Sequence, residues 1–166
     1  MEKIGFGGSC HWCTEAIFLS IHGVLKVEQG WISSTGTDHE LSEAVIVHYE
    51  EEKIKLKSLI EIHLHTHSCT AQHVMRSKYR SAIYVFNSSQ QQLAKNAIAI
   101  LQSDFTQPII TKVIPFKQFK LNQSRYLNYY YGNKDKPFCK NIVSPKLKAL
   151  IKSFPHLVNN DKMDLC

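Results

Sequence analysis

The chain contains no apolar run of about 18 residues, the length a helix needs to cross a bilayer, so no membrane span is expected. It also lacks low-complexity stretches, internal repeats and glycine- or proline-rich linkers. Its 7 glycines and 5 prolines are spread over 166 residues, which suits a single domain over residues 1–166 with a loosely packed tail from about residue 120. No dense block of one charge occurs either: 20 Lys and Arg against 14 Asp and Glu give a formal charge of +6. The lysines are scattered, which describes a solvated positive surface and not a nucleic-acid footprint. Five cysteines, Cys10, Cys13, Cys69, Cys139 and Cys166, are an odd number at irregular spacing. That argues against a secreted disulfide framework and for a reducing compartment. Met1-Glu2-Lys3 runs directly into the first apolar segment, leaving no room for a signal peptide, so a cytoplasmic location is expected.

What is present is a regular alternation of strand and helix patterns. Residues 3–7 read as a strand, and Ala16, Ile17, Leu19 and Ile21 before Gly23 as a helix with a glycine stop. Residues 24–31 and 43–49 read as strands, with a polar loop from Ser33 to Glu40 between them. Leu56, Leu59, Ile60 and Ile62 recur at helical spacing; the pattern is then lost from His63 to Ser77, where functional residues would collect. Residues 79–86 read as a strand, a helix with a serine cap opens at Ser88, and residues 109–116 form another strand. The tail holds a polar-aromatic helix near residues 125–131, a loop through Cys139 and a short helix begun by Ser144-Pro145. The order β-α-β-β-α-β over residues 3–86 predicts an α+β protein with a ferredoxin-like (split βαβ) α/β plait and a C-terminal coiled extension.

The stretch that carries chemistry is Gly7-Gly8-Ser9-Cys10-His11-Trp12-Cys13-Thr14-Glu15, a glycine turn that delivers Cys10 to the start of the first predicted helix. Unpaired backbone N–H groups and the positive end of the helix dipole favour thiolate there. A thiol with a pKa near 8.5 is only ~3% thiolate at pH 7, whereas a value of ~6.5 gives roughly 75%. Two cysteines spaced Cys-x-x-Cys around an indole point to redox or nucleophilic chemistry, although a lone cysteine in such a turn is ordinarily core filler.

This stretch is similar to the Gly-Gly-x-Cys-Phe-Trp-x-x-Glu signature of the A-type peptide methionine sulfoxide reductases. Ser42-Glu43-Ala44-Val45 resembles the segment bearing that family's catalytic glutamate, and Lys78-Tyr79-Arg80-Ser81-Ala82-Ile83-Tyr84 resembles its Gln-Tyr-Arg-Ser-Ala-Ile-Tyr block. The three blocks occur in the family's order. The resemblance implies reduction of methionine S-sulfoxide, free or in proteins, with Cys10 as nucleophile and Glu43 as proton source. To hold a proton near neutral pH a carboxyl must be desolvated, so Glu43 is expected to be buried close to Cys10. Trp12 and His11 would wall a pocket for the substrate methyl group, and Tyr79 would bond the sulfoxide oxygen. Cys139, in Pro137-Phe138-Cys139 on a mobile tail, resembles the family's resolving cysteine, with Cys13 as the alternative. The resemblance also implies no prosthetic cofactor, a thioredoxin as electron donor, and a monomer.

Three departures stand out. His11 replaces the family's phenylalanine, which either keeps an aromatic wall or adds a titrating group that lowers the Cys10 pKa. The family's Gly-Asn-Asp before the Tyr79 block is absent, and its tyrosine-bearing loop is shortened to residues 33–42; His73 and His39 are candidate substitutes. The alternation His63-x-His65-x-His67-x-Cys69 suggests zinc if the chain is extended there, but the preceding helix continues into it, where i and i+2 do not share a face. No metal is therefore expected. The rival readings are a Cys10–Cys13 thiol–disulfide oxidoreductase, a zinc-binding module and a degenerate reductase that binds sulfoxide but turns over poorly.

Overall fold

The computed structural model describes residues 1–72 and 74–159. In chain order its elements are β1 (Glu2–Gly7), α1 (His11–Leu19), β2 (Val24–Ser33), β3 (Ser42–Tyr49), α2 (Leu56–His65), β4 (Ala82–Val85), α3 (Ser88–Leu101), β5 (Lys112–Pro115), β6 (Gln118–Leu121), α4 (Tyr129–Gly132) and α5 (Ser144–Ser153). Short 3-10 turns lie between them, and a π-helical turn, Cys139–Val143, leads into α5. The strands form one sheet in the order β5-β4-β1-β3-β2-β6. Its central four, β4-β1-β3-β2, pair antiparallel throughout, which is the ferredoxin-like plait expected from the element order. β5 adds in parallel beside β4, and β6 antiparallel beside β2.

The period-2 pattern of each strand sorts its side chains between two faces. Ile4 and Phe6 of β1, Val45, Val47 and Tyr49 of β3, and Ile83 and Val85 of β4 join the core made with α1 and α2. Ala44, Ile46, Ala82 and Tyr84, the alternate residues, join Ile32 in a smaller cluster on the opposite face. Phe6 stacks on Phe18 of α1 at 4.8 Å, fixing the helix that carries the cysteine pair against the strand that precedes it.

Several boundaries differ from the sequence reading, each for a local reason. β4 starts only at Ala82, because residues 74–77 form a 3-10 turn and the Arg80 N–H donates to Ser42 Oγ at 2.8 Å. α3 is capped by Asn87, whose side chain accepts from the Gln90 N–H, and not by Ser88. The polar-aromatic helix near residue 125 is broken by the left-handed Asn128 (φ 53°), leaving only α4. β6 lies outside the predicted strands: it is a largely exposed edge strand whose polar–apolar alternation, Gln118-Phe119-Lys120-Leu121, runs for only four residues. The expected loosely packed tail is also corrected over its described part, since Tyr130, Cys139, Val143, Leu147, Leu150, Phe154 and Val158 are all buried in the α1–α2 core. They are apolar at helical spacing and complete a face of α1 that the plait alone leaves uncovered.

Gly30 marks where β2 and β6 approach most closely, since a Cβ there would lie 2.0 Å from the Lys120 carbonyl oxygen. Backbone cannot yield as a side-chain tip can. Gly30→Ala is expected to destabilise the fold by about 2–3 kcal/mol through overpacking and the lost β6 pairing, measured as a lower urea midpoint with unchanged slope.

Candidate active site

The glycine turn places the first cysteine. Gly8 has φ +145°, a conformation in which L side chains are strained, and a Cβ on it would meet the His67 ring at 2.5 Å. Cys10 is the N-cap residue of α1, and its carbonyl oxygen accepts from the Cys13 and Thr14 N–H groups. Arg76 staples the irregular segment onto this turn, donating to the carbonyl oxygens of Gly8 (2.9 Å), Tyr79 (2.9 Å), Ala71 (2.9 Å) and Ser68 (2.5 Å).

Beneath the turn lies the histidine-rich segment. The His63 ring donates from Nε2 to the Gly7 carbonyl oxygen at 2.8 Å and stacks on the His67 ring at 4.1 Å. His67 Nδ1 donates to the His63 carbonyl oxygen, so its Nε2 accepts from the Ser81 hydroxyl, 2.8 Å away. Burial pushes both imidazoles toward the neutral form, His67 down to about 4 and His63 well below its ordinary value. His65 faces elsewhere, toward Asp104 at 3.0 Å. Among the described residues no group of three or more His, Cys, Asp or Glu converges as metal ligands would. The segment is a platform for the glycine turn.

All four described cysteines are free thiols, Cys10 partly exposed and Cys13, Cys69 and Cys139 buried. The Cys10 and Cys13 thiols, three residues apart on one helix face, act on each other's acidity. Cys13 is brought down chiefly by Cys10 and further by Lys146, against the cost of burial. Cys10 is pushed up by Cys13 and by burial, with the Trp12 N–H opposing. The two thiols therefore titrate as a pair, because a second negative charge in the same buried spot is costly.

Glu43, the second residue of β3, is 7% exposed, buried as expected, and its charge acts on both thiols. It accepts from the His11 N–H at 3.4 Å, and the His11 ring Nε2 stands 3.7 Å from its other oxygen. His11 is itself buried, its Nδ1 donating to the Gly30 carbonyl oxygen at 2.9 Å, and burial pushes its pKa down. Of the two roles open to it, the neutral aromatic wall is the one its surroundings favour, with Trp31 edge-on at 5.1 Å.

Trp12 is not an open wall. Its ring stacks on Tyr129 at 4.0 Å and Tyr126 at 5.7 Å, with Phe138 edge-on at 5.5 Å, so tail aromatics close over it. Glu15 holds that tail down: it is buried, accepts from the Asn128 and Tyr129 N–H groups at 2.9 and 3.2 Å, and takes a bond from Gln29 at 2.9 Å. Cys139 is also corrected from a mobile loop to a fully buried position in the π-helical turn, where the sulfur whose charge it feels is Cys13.

Cys10 and Tyr79 line one cavity of about 600 Å³, together with Ser9, Met75 and Lys146. Lys146, at the start of α5, is the site residue that the sequence did not disclose; only the packing of the tail brings it there. His39 is exposed and bonded to the Gly36 carbonyl oxygen, away from this cavity. His73 and Cys166 lie outside the described residues.

The first helix of the ferredoxin-like plait thus brings two thiols together beside a buried carboxyl and a cavity, the groups that thiol redox chemistry uses. The family profile described as peptide methionine sulfoxide reductase matches residues 2–157. Peptide methionine sulfoxide reductase MsrA of Acinetobacter baumannii (strain AYE) is 32% identical over 96% of this chain and 100% of its own length. Among solved structures, reduced Mxr1 from Saccharomyces cerevisiae overlays with a TM-score of 0.72 at 17% identity, covering 83% of this chain and 88% of that one. Mxr1 in complex with Trx2 overlays at 0.55 and 15% identity, over 77% and 84%. The chain belongs to the peptide methionine sulfoxide reductase family, whose curated members are oxidoreductases. Among the described residues no helix is long and apolar enough to cross a membrane.

Proposed function

We propose that this protein reduces methionine S-sulfoxide to methionine at the Cys10–Cys13 pair. The observation that carries the reading is that pair: a partly exposed sulfur opening on a cavity, with a buried thiol three residues on whose proton affinity is lowered by it. Cys10 attacks the sulfoxide sulfur as the pair gives up a proton. The S–O bond breaks, Glu43 supplies the proton that the oxygen needs, and two electrons pass from the Cys10 sulfur to the methionine sulfur. The hydroxide so released adds to the Cys10 sulfur as the new S–S bond breaks with its electron pair on the methionine sulfur; methionine departs and Cys10 is left as a sulfenic acid. Tyr79, in the same cavity, is placed to donate to the oxygen.

Cys13 shares a helix face with the oxidised sulfur, so it resolves the sulfenic acid first, forming a Cys10–Cys13 disulfide and releasing water. Cys139 is next in line beside Cys13. A thioredoxin, the kind of partner that Mxr1 is seen with, returns both thiols by taking up the disulfide. The rival reading as a thiol–disulfide oxidoreductase uses the same two sulfurs without the cavity. Incubation of a racemic methionine sulfoxide derivative with dithiothreitol separates the two. The S epimer is expected to disappear and the R epimer to remain, with an enzyme 2 Da lighter and a Cys10–Cys13 crosslink after one turnover without reductant. Reduction of protein disulfides in the absence of any sulfoxide loss would sink the proposal.

A further inference from the structure

The cavity that opens on Cys10 carries an uneven charge. Lys146, His65 and His67 line it, and no Asp or Glu does. His65 is engaged by Asp104, and His67 is neutral because it is buried against the turn. Lys146 therefore supplies the fixed positive charge, and among the described residues no carboxylate lies within ion-pair distance of it. Lys146 and Cys10 line the same cavity of about 600 Å³, a volume suited to a single amino-acid derivative.

We infer that Lys146 is a specificity-determining residue that receives a carboxylate borne by, or next to, the methionine sulfoxide being reduced. This rests on the reductase reading above and adds the substrate class. An ion pair formed by a half-buried cation that has no carboxylate partner among the described residues favours anionic substrate more than a surface pair does. Apart from Glu43, which is committed to the sulfoxide oxygen, no acid is at hand to receive an α-ammonium group, so a chain-terminal or N-acylated methionine sulfoxide is accepted better than the zwitterionic amino acid. An acidic residue beside the methionine is the other source of the same carboxylate.

The test compares KM for N-acetyl-methionine S-sulfoxide, its neutral N-methylamide, the free amino acid, and N-acetyl-methionine sulfoxide followed by aspartate amide, with dithiothreitol as reductant. Wild type is expected to show a KM about tenfold lower for the acetylated acid than for the amide and the free amino acid. Lys146→Met is expected to erase that difference by raising KM for the acid alone, and Lys146→Arg to keep it. Any fall in kcat from weakened thiol activation strikes all substrates equally, so the KM split isolates recognition. A low KM for the aspartate peptide assigns the carboxylate to a neighbouring side chain; a high one assigns it to the chain terminus. Equal KM values for acid and amide in the wild type, or a Lys146→Met change shared by both, overturn the inference while leaving the reductase reading intact. Failure to reduce any of the four substrates overturns both.

Discussion

Cys10→Ser is expected to lower sulfoxide reduction by at least about a thousandfold while leaving the fold intact. A serine hydroxyl stays protonated at neutral pH and its oxygen is a poor nucleophile toward sulfur, so no partner at position 13 can activate it. The structural cost is small, because Cys10 is the partly exposed N-cap residue of α1, a position at which serine is well suited. Cys13→Ser is expected to behave differently. Cys10 loses the neighbouring thiol with which it titrates, so alkylation of the pair, rising through about pH 7 in the wild type, moves toward the ordinary thiol range. One equivalent of methionine still forms per enzyme, and turnover with thioredoxin stops. Quenched-flow counting of methionine, with and without thioredoxin, reads both effects. Thioredoxin-driven turnover that survives Cys13→Ser and is lost in Cys139→Ser would transfer the resolving role to Cys139.

The second large effect is a loss of stability in acid centred on the histidine platform. The folded protein holds His67 at about 4 and His63 well below the usual 6.5, in each case because burial opposes the charged ring. The unfolded chain therefore binds protons that the folded one refuses. Both contributions are fully present above pH 6.5 and are lost as pH falls through the gap, which for His67 closes at about 4. The His67 part alone amounts to at most about 3 kcal/mol. Urea unfolding of the wild type at pH 7.5 and at pH 4.5 is expected to show this loss on top of the carboxylate background. His67→Gln keeps a donor for the His63 carbonyl oxygen and an acceptor for Ser81 but cannot charge. Its decline over the same interval is expected to be shallower by that amount, and parallel declines would contradict the assignment. Because this platform supports Gly7 and Gly8, activity should fall in acid ahead of global unfolding.

How much of this was legible follows from which forces act locally. Strand alternation and helical periodicity are local records of burial, so β1, α1, β3 and α2 could be read along the chain, and with them the plait. The Gly-Gly-x-Cys turn was legible because positive φ and a helix start impose their own residue types. The tail was not. Its buried residues gain their partners from α1, more than a hundred positions away, and nothing in the spacing of Tyr130, Cys139 and Leu147 says what they will cover. For the same reason the sequence placed Cys139 in a mobile loop and was silent on Lys146.

By itself, then, the sequence determined the strand and helix order of the central plait, the cysteine delivered at a helix start and the carboxyl that accompanies it near the head of a strand. Tertiary structure decided the rest: that the acidities of Cys10 and Cys13 are set in a buried place, that the histidine segment supports the turn, that Trp12 is covered by the tail, and that Lys146 lines the cavity on which Cys10 opens. Propensity and periodicity act over a few residues, whereas proton affinity, burial and charge pairing depend on distances through space that only the folded chain sets.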